Sequence, residues 1–134
     1  MEEVIEFLEK SKLQYLATIG LDGKPKVRPF QMMFEDGGKI WYCTGNNKAV
    51  YQELLQRPDV EFCASGDRGM TWLRISAKVV FDDNLAIKEK ILEHSPLVKS
   101  IYKKKDNPLL EVFYLDKVSA AISRIGEAPK VFTF

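Results

Sequence analysis

With 134 residues, the chain fits a single domain and can bury a core without disulfide or metal staples. Its 46% hydrophobic and 29% charged content matches ordinary globular usage and argues against disorder. Lys and Arg number 20 against 19 Asp and Glu, and a net charge of +1 argues against a general nucleic-acid binder, which carries a basic excess.

Residues 2–11 have helical spacing, with Val4, Ile5, Phe7 and Leu8 on one side and mostly Glu and Lys outside. Gln14 to Ile19 reads as a strand, followed by turn residues from Gly20 to Pro25. Lys26 to Glu35 reads as a second strand. Alternation puts Arg28, Phe30, Met32 and Phe34 on one face and Val27, Pro29, Gln31 and Met33 on the other. Pro29 inside a strand implies an edge or a bulge. The turn Asp36-Gly37-Gly38 leads into a third strand, Lys39 to Thr44, that closes a meander. Asn46 or Asn47 is placed to cap a helix carrying Val50, Tyr51, Leu54 and Leu55, which Arg57-Pro58-Asp59 ends.

Val60 to Ser65 is a fourth strand, and Gly66-Asp67-Arg68-Gly69 a hairpin loop. Met70 to Asp82 is a long fifth strand with clean alternation. Leu73, Ile75, Ala77 and Val79 face the core, while Trp72, Arg74, Ser76 and Lys78 face away. A helix from about Asn84 to His94 follows, then another whose start is marked by Ser95-Pro96, a cap with proline at the first helical position. Leu110–Leu115 and Val118–Ile125 read as a hairpin around Asp116-Lys117, and a short strand runs over Lys130–Phe134. The sum is a mainly β, antiparallel barrel of six to eight strands with flanking helices, a single domain over 1–134.

The two cysteines, Cys43 and Cys63, sit in apolar strand-like runs without metal or disulfide spacing, so both are expected to be buried free thiols. Met1 leads directly into Glu2 and Glu3 rather than a basic start and an apolar run, and no stretch approaches a membrane span. A cytoplasmic protein is expected. His94, the lone histidine, falls at a helix end, where a surface role outweighs catalysis. The run Lys103-Lys104-Lys105 reads as a solvated loop. No Ser/His/Asp set, carboxylate pair or metal cluster stands out, and no residue is assigned as catalytic.

One constellation remains. Arg28 precedes Pro29 and Phe30 on a strand, and Asn47 and Lys48 open a helix. Two cations and a helix N-terminus beside an aromatic-lined sheet suit a phosphorylated, planar ligand. Lysine is disfavoured at a helix start by the dipole, so Lys48 itself hints at an anion. Arg28 shares its face with Phe30, Met32 and Phe34, which argues against a plain surface cation. Trp72 shares its face with charged residues, which suits a subunit interface or a ligand wall better than core.

The order helix, hairpin, R-P-F strand, W-Y-C-T strand, N-N-K helix and T-W-L-R strand resembles the pyridoxamine 5′-phosphate oxidase-like family of flavin-binding split barrels, and within it the short NimA/NimC-like (nitroimidazole-resistance) branch. The resemblance covers nearly the whole chain. It implies FMN held at a homodimer interface. Arg28, Pro29, Phe30 and Gln31 would line the ring and phosphate, Tyr42, Cys43 and Thr44 would border the flavin, and Asn47 and Lys48 would bind the phosphate. Trp72 would reach the flavin, often from the partner subunit, and Ser123, Arg124 and Ile125 lie near where the family closes its site. The end of the chain, Gly126–Phe134, does not match the Arg- and Trp-containing segment of true pyridoxamine phosphate oxidases, so B6 oxidation is not implied. The expected function is electron transfer from a reduced nicotinamide nucleotide to a small acceptor, a nitro compound or quinone. The alternative is a non-enzymatic flavin-, deazaflavin- or haem-binding module. For haem, neither His94, Cys43, Cys63 nor any Tyr or Met is well placed as axial ligand.

Overall fold

The computed structural model describes all of residues 1–134. In chain order the elements are α1 (Glu2–Lys10), β1 (Gln14–Ile19), β2 (Pro25–Phe30), β3 (Phe34–Asp36), β4 (Lys39–Gly45), α2 (Ala49–Gln56), β5 (Asp59–Gly66), β6 (Thr71–Phe81), α3 (Leu85–His94), α4 (Pro96–Tyr102), β7 (Leu110–Arg124) and β8 (Lys130–Thr133). The strands form one 8-stranded antiparallel sheet in the order β2-β1-β5-β6-β7-β4-β3, with β8 beside β7. β2 and β4 are not hydrogen-bonded to each other. The sheet curls until they face one another, and the Phe30 ring of β2 packs 6.0 Å from both Tyr42 of β4 and Phe113 of β7. The fold is a split β-barrel, and the split lies between β2 and β4.

Alternation along the strands fills the interior. Leu16, Phe62, Leu73, Ile75, Tyr42 and Phe113 are all fully buried, and Tyr42 stacks between Phe62 and Phe113 at 4.6 and 5.5 Å. α1 and α2 add Val4, Leu8, Val50 and Leu54 to the same core. A second cluster lies outside the barrel wall, where α3 and α4 pack Ile87, Ile91, Leu92, Val98 and Tyr102 on Trp41, Leu110 and Val112. Ser95 caps α4 as its sequence suggests, its Oγ accepting from the Val98 N–H at 3.2 Å.

Four expectations are corrected. The strand predicted over Lys26–Glu35 is two strands, because Gln31–Met33 carry the chain across the split from the β2 edge to the opposite edge. Met32 enters the main core and its neighbour Met33 the second cluster, so alternation stops there and no meander forms. The hairpin predicted around Asp116-Lys117 is one continuous strand with a bulge. β6 advances from Ser76 to Lys78 while β7 advances from Ser119 to Asp116, and Lys117 takes φ 50° to absorb the extra residue. Neither Asn46 nor Asn47 caps α2. Lys48 is its N-cap residue, with no side-chain cap bond, while Asn46 Nδ2 ties this loop to β7, donating to Pro108 O and Glu111 Oε1. Both cysteines are free, but Cys63 faces outward on β5 and is exposed, and Cys43 is half-buried.

Candidate functional site: a cleft at the split of the barrel

The split leaves two sheet edges without strand partners. β2 pairs only with β1, and β3 covers β4 only over Lys39–Trp41. Beyond that point β4 has β7 on one side and no strand on the other. Pro29 has no N–H to donate, which suits an edge. Between these edges lies a cleft of about 190 Å³, walled by Pro29, Phe30, Gln31 and Met33, by Cys43 and Thr44, and by Leu97, Val98, Ile101 and Tyr102 of α4. Lys48 stands at its rim.

Lys48 is exposed and forms no ion pair. Its charge acts on the neighbouring Cys43 thiol, whose pKa burial nevertheless pushes up to about 12. Cys43 is therefore a neutral thiol at neutral pH, a packing group rather than a nucleophile. Burial, and then Cys43, raise the pKa of the Tyr102 hydroxyl. Gly45 lets two side chains close over the end of β4. A Cβ there would stand 2.6 Å from Asn47 Oδ1 and 2.8 Å from Tyr102 Oη.

Of the ten residues predicted to hold a cofactor, the fold brings Pro29, Phe30, Gln31, Cys43, Thr44 and Lys48 to this one cleft. Asn47 adjoins it over Gly45. The other three lie elsewhere. The Arg28 guanidinium is turned away. Its Nη1 donates to Leu16 O at 3.1 Å and Thr18 Oγ1 at 2.8 Å, and its Nη2 to the buried Glu53 carboxylate at 2.7 Å. Tyr42 points into the barrel core, and its hydroxyl donates to Gln14 Oε1 at 2.8 Å. Burial raises the Tyr42 pKa well beyond the ordinary phenol range.

Trp72 lies half-buried on the outer face of β6, as its alternation implies. Its row continues through Ser65 on β5, next to the row that joins Arg74, Cys63, Tyr15 and Pro29. That places Trp72 three strands from the cleft edge, roughly 15 Å at the usual strand spacing. Ser123 pairs with Trp72 and Arg124 with Asp67 at 3.0 Å, so that end of β7 is also remote from the cleft within one chain. Tyr102, Leu97 and Ile101 were missed as cleft residues, as was Glu53 as the partner of Arg28. Leu97 and Ile101 are spaced four apart on a readable helix, but nothing local shows that the helix folds over the split.

No group of three or more His, Cys, Asp or Glu converges as a metal site, and no helix is long and apolar enough to cross a membrane. Residues 1–118 match the family model described as pyridoxamine 5′-phosphate oxidase. The chain belongs to the pyridoxamine 5′-phosphate oxidase family. The match includes every cleft residue and stops inside β7. A NimC/NimA family protein from Clostridium acetobutylicum shares 31% identity and a TM-score of 0.91, with 100% of this chain and 92% of that one aligned. That likeness supports the NimA/NimC-like branch of the family. The same split barrel occurs at 18% identity and a TM-score of 0.79 in a protein related to general stress protein 26, also from C. acetobutylicum, aligned over 99% of this chain and 93% of that one. It occurs again at 15% identity and 0.75 in a heme binding protein from Mycobacterium smegmatis, over 98% of this chain and 57% of that one. No curated protein matches the chain.

Proposed function

We propose that this family member is a homodimeric FMN-binding oxidoreductase that passes electrons from a reduced nicotinamide nucleotide to a small acceptor such as a nitro compound or a quinone. The observation that carries the reading is Lys48, a cation without an anionic partner at the rim of an apolar cleft bounded by two unpaired sheet edges. The residues present fit a phosphorylated, flat cofactor in most respects. Lys48 would take the phosphate. Pro29, Phe30, Leu97 and Ile101 offer apolar surface for a ring, and the backbone at Gln31 and on the open side of β4 at Cys43 offers polar contacts at its rim. Arg28 does not fit a phosphate role while it bonds to Glu53.

Bound there, a flavin would supply two-electron chemistry, taking hydride from the nicotinamide and returning it to the acceptor. The protein's part is to position, to exclude water and to set charge. Cys43 and Tyr102 stay neutral through the physiological range and bring no competing anion to the cleft.

The dimer is supported by size and by surface. The cleft of one chain, about 190 Å³, is smaller than the roughly 300–1,000 Å³ of typical small-molecule sites. A second copy would supply the missing wall. The outer face of the barrel carries exposed Tyr15, Ile19 and Val27 beside the half-buried Trp72, together with a depression of about 590 Å³ between β1, β5 and β6. That face is suited to covering by a partner, and it would let Trp72 approach the partner's cleft.

The test is titration of FMN into the purified protein, followed by flavin fluorescence, then anaerobic addition of reduced nicotinamide nucleotide with and without a quinone. Bleaching of the bound flavin by the nucleotide and its recovery with quinone support the proposal. Bound flavin that no nucleotide reduces would leave a non-enzymatic flavin-binding module. A Soret band on adding haem, with no flavin binding, would favour a haem protein instead.

A further inference from the structure

We propose that a depression between the end of α1 and the turn joining β5 to β6 is a second ligand site, built for the phosphate and sugar of a nucleotide. The site is separate from the cleft at the split. Its use in the reaction rests on the oxidoreductase reading above, with the reduced nicotinamide nucleotide as the ligand that docks there.

The depression measures about 610 Å³, within the roughly 300–1,000 Å³ of typical small-molecule sites. It lies where the last turn of α1 and the link to β1 pass over the turn between β5 and β6. Lys10 and Lys12 stand on its wall, both exposed and neither in an ion pair. Lys10 has an ordinary reason for its place, because the C-terminus of a helix favours cations. Lys12 lies beyond the helix and has no such reason. The one carboxylate in the lining, Asp67, is already engaged by Arg124 at 3.0 Å. Two unpaired ammonium groups therefore border a space without a free anion, which suits a phosphate.

Beside the cations lie the hydroxyl-bearing side chains of Ser11, Tyr15, Ser65 and Thr71. None of these hydroxyls hydrogen-bonds to another group of the chain. A hydroxyl both donates and accepts, so the set matches the hydroxyls of a ribose as well as phosphate oxygens. Gly66 keeps the floor open. A Cβ there would stand 3.0 Å from Thr71 Oγ1 and 3.2 Å from Phe7 Cζ. Exposed Leu13, beside Tyr15, adds an apolar face for a base.

Position connects the site to the reaction. Thr71 precedes Trp72, and Ser65 pairs with Trp72 across β5 and β6. Tyr15 marks where the depression meets the face suited to a partner. A nucleotide anchored here thus lies at the margin of the dimer, on the side of the chain that Trp72 would present to the partner's cleft.

Calorimetric titration with ADP and with adenosine tests the site in FMN-saturated protein, where the cleft is filled. Protein that takes up no FMN is titrated as it is, which separates failure of the flavin reading from failure of this one. ADP should bind about tenfold or more tighter than adenosine, the difference one charged hydrogen bond makes. Lys10→Gln/Lys12→Gln, confined to exposed side chains, should weaken ADP about tenfold and leave adenosine unchanged. Gly66→Ala should weaken both. Folded wild type that binds no ADP, or equal ADP affinity in wild type and the double-lysine variant, would overturn the proposal. Loss of ADP binding in Lys48→Gln would do the same, because it would place the nucleotide at the cleft. Steady-state rates then identify the ligand. ADP that competes with the reduced nicotinamide nucleotide, with the donor KM raised and kcat kept in the double-lysine variant, supports the donor. ADP that binds without competing keeps the site and overturns its assignment to the donor.

Discussion

Tyr42→Phe separates a core role for Tyr42 from the cofactor role that its motif suggests. The Tyr42 hydroxyl donates to Gln14 Oε1 at 2.8 Å, and both side chains are fully buried. Gln14 Nε2 has no partner. Removing the hydroxyl would therefore leave the whole Gln14 amide unpaired inside the barrel, a cost of about 1–3 kcal/mol. The stacking of Tyr42 between Phe62 and Phe113 survives, so little packing is lost. For a domain of this size each kcal/mol lowers Tm by about 3–5 °C, which predicts a drop of roughly 3–15 °C. Gln14→Met added to Tyr42→Phe removes the stranded amide and should recover most of the loss, because replacing both hydrogen-bonding partners by apolar groups is nearly neutral. Calorimetric melts of the two singles and the double give the coupling directly. Flavin affinity should be unchanged throughout. A Tyr42→Phe protein with unaltered Tm but lost flavin binding would refute the placement of this hydroxyl in the core.

Gly45→Ala places a methyl against Asn47 Oδ1 and Tyr102 Oη, and the strain of about 1–3 kcal/mol falls on the cleft wall. FMN affinity should drop several-fold in a fluorescence titration while the far-UV spectrum is retained. Cys43 keeps its proton in the folded protein to about pH 12, whereas an unfolded chain loses it near 9.0. Its contribution to stability is full below pH 9 and is lost as pH rises toward 12, at up to about 1.4 kcal/mol per pH unit. Denaturant melts of Cys43→Ala should show a shallower decline in that window. Lys117→Gly relieves a left-handed residue at the β7 bulge and should raise stability by about 0.5–1 kcal/mol in the same melts.

Strands with one buried face could be read directly. β6 declares its two faces residue by residue, and Ser95-Pro96 marks the start of α4, because both signals are local. β7 could not be read, since Asp116-Lys117 has turn chemistry and only pairing with β6 turns it into a bulge. The break at Gln31–Met33 was hidden for a related reason. The alternation of residues 26–35 looks continuous, and only the sheet order shows that the chain must cross from one edge to the other. Half of the cleft lining was legible because those residues cluster in two short runs, Pro29–Gln31 and Cys43–Lys48, whereas the α4 wall was not. The ion pair of Arg28 was not legible because the carboxylate that pairs with it lies on a helix 25 residues along the chain, and a strand pattern gives the face of a cation but not its partner.

The central claim is that two copies of this chain build an FMN site at the split of the barrel. Gel filtration of the protein after incubation with FMN, followed simultaneously at protein and flavin wavelengths with light scattering for mass, tests it most directly. The account predicts a two-band flavin spectrum that co-elutes with a dimer at about one flavin per chain. A colourless dimer, or flavin carried by a monomer, would contradict it.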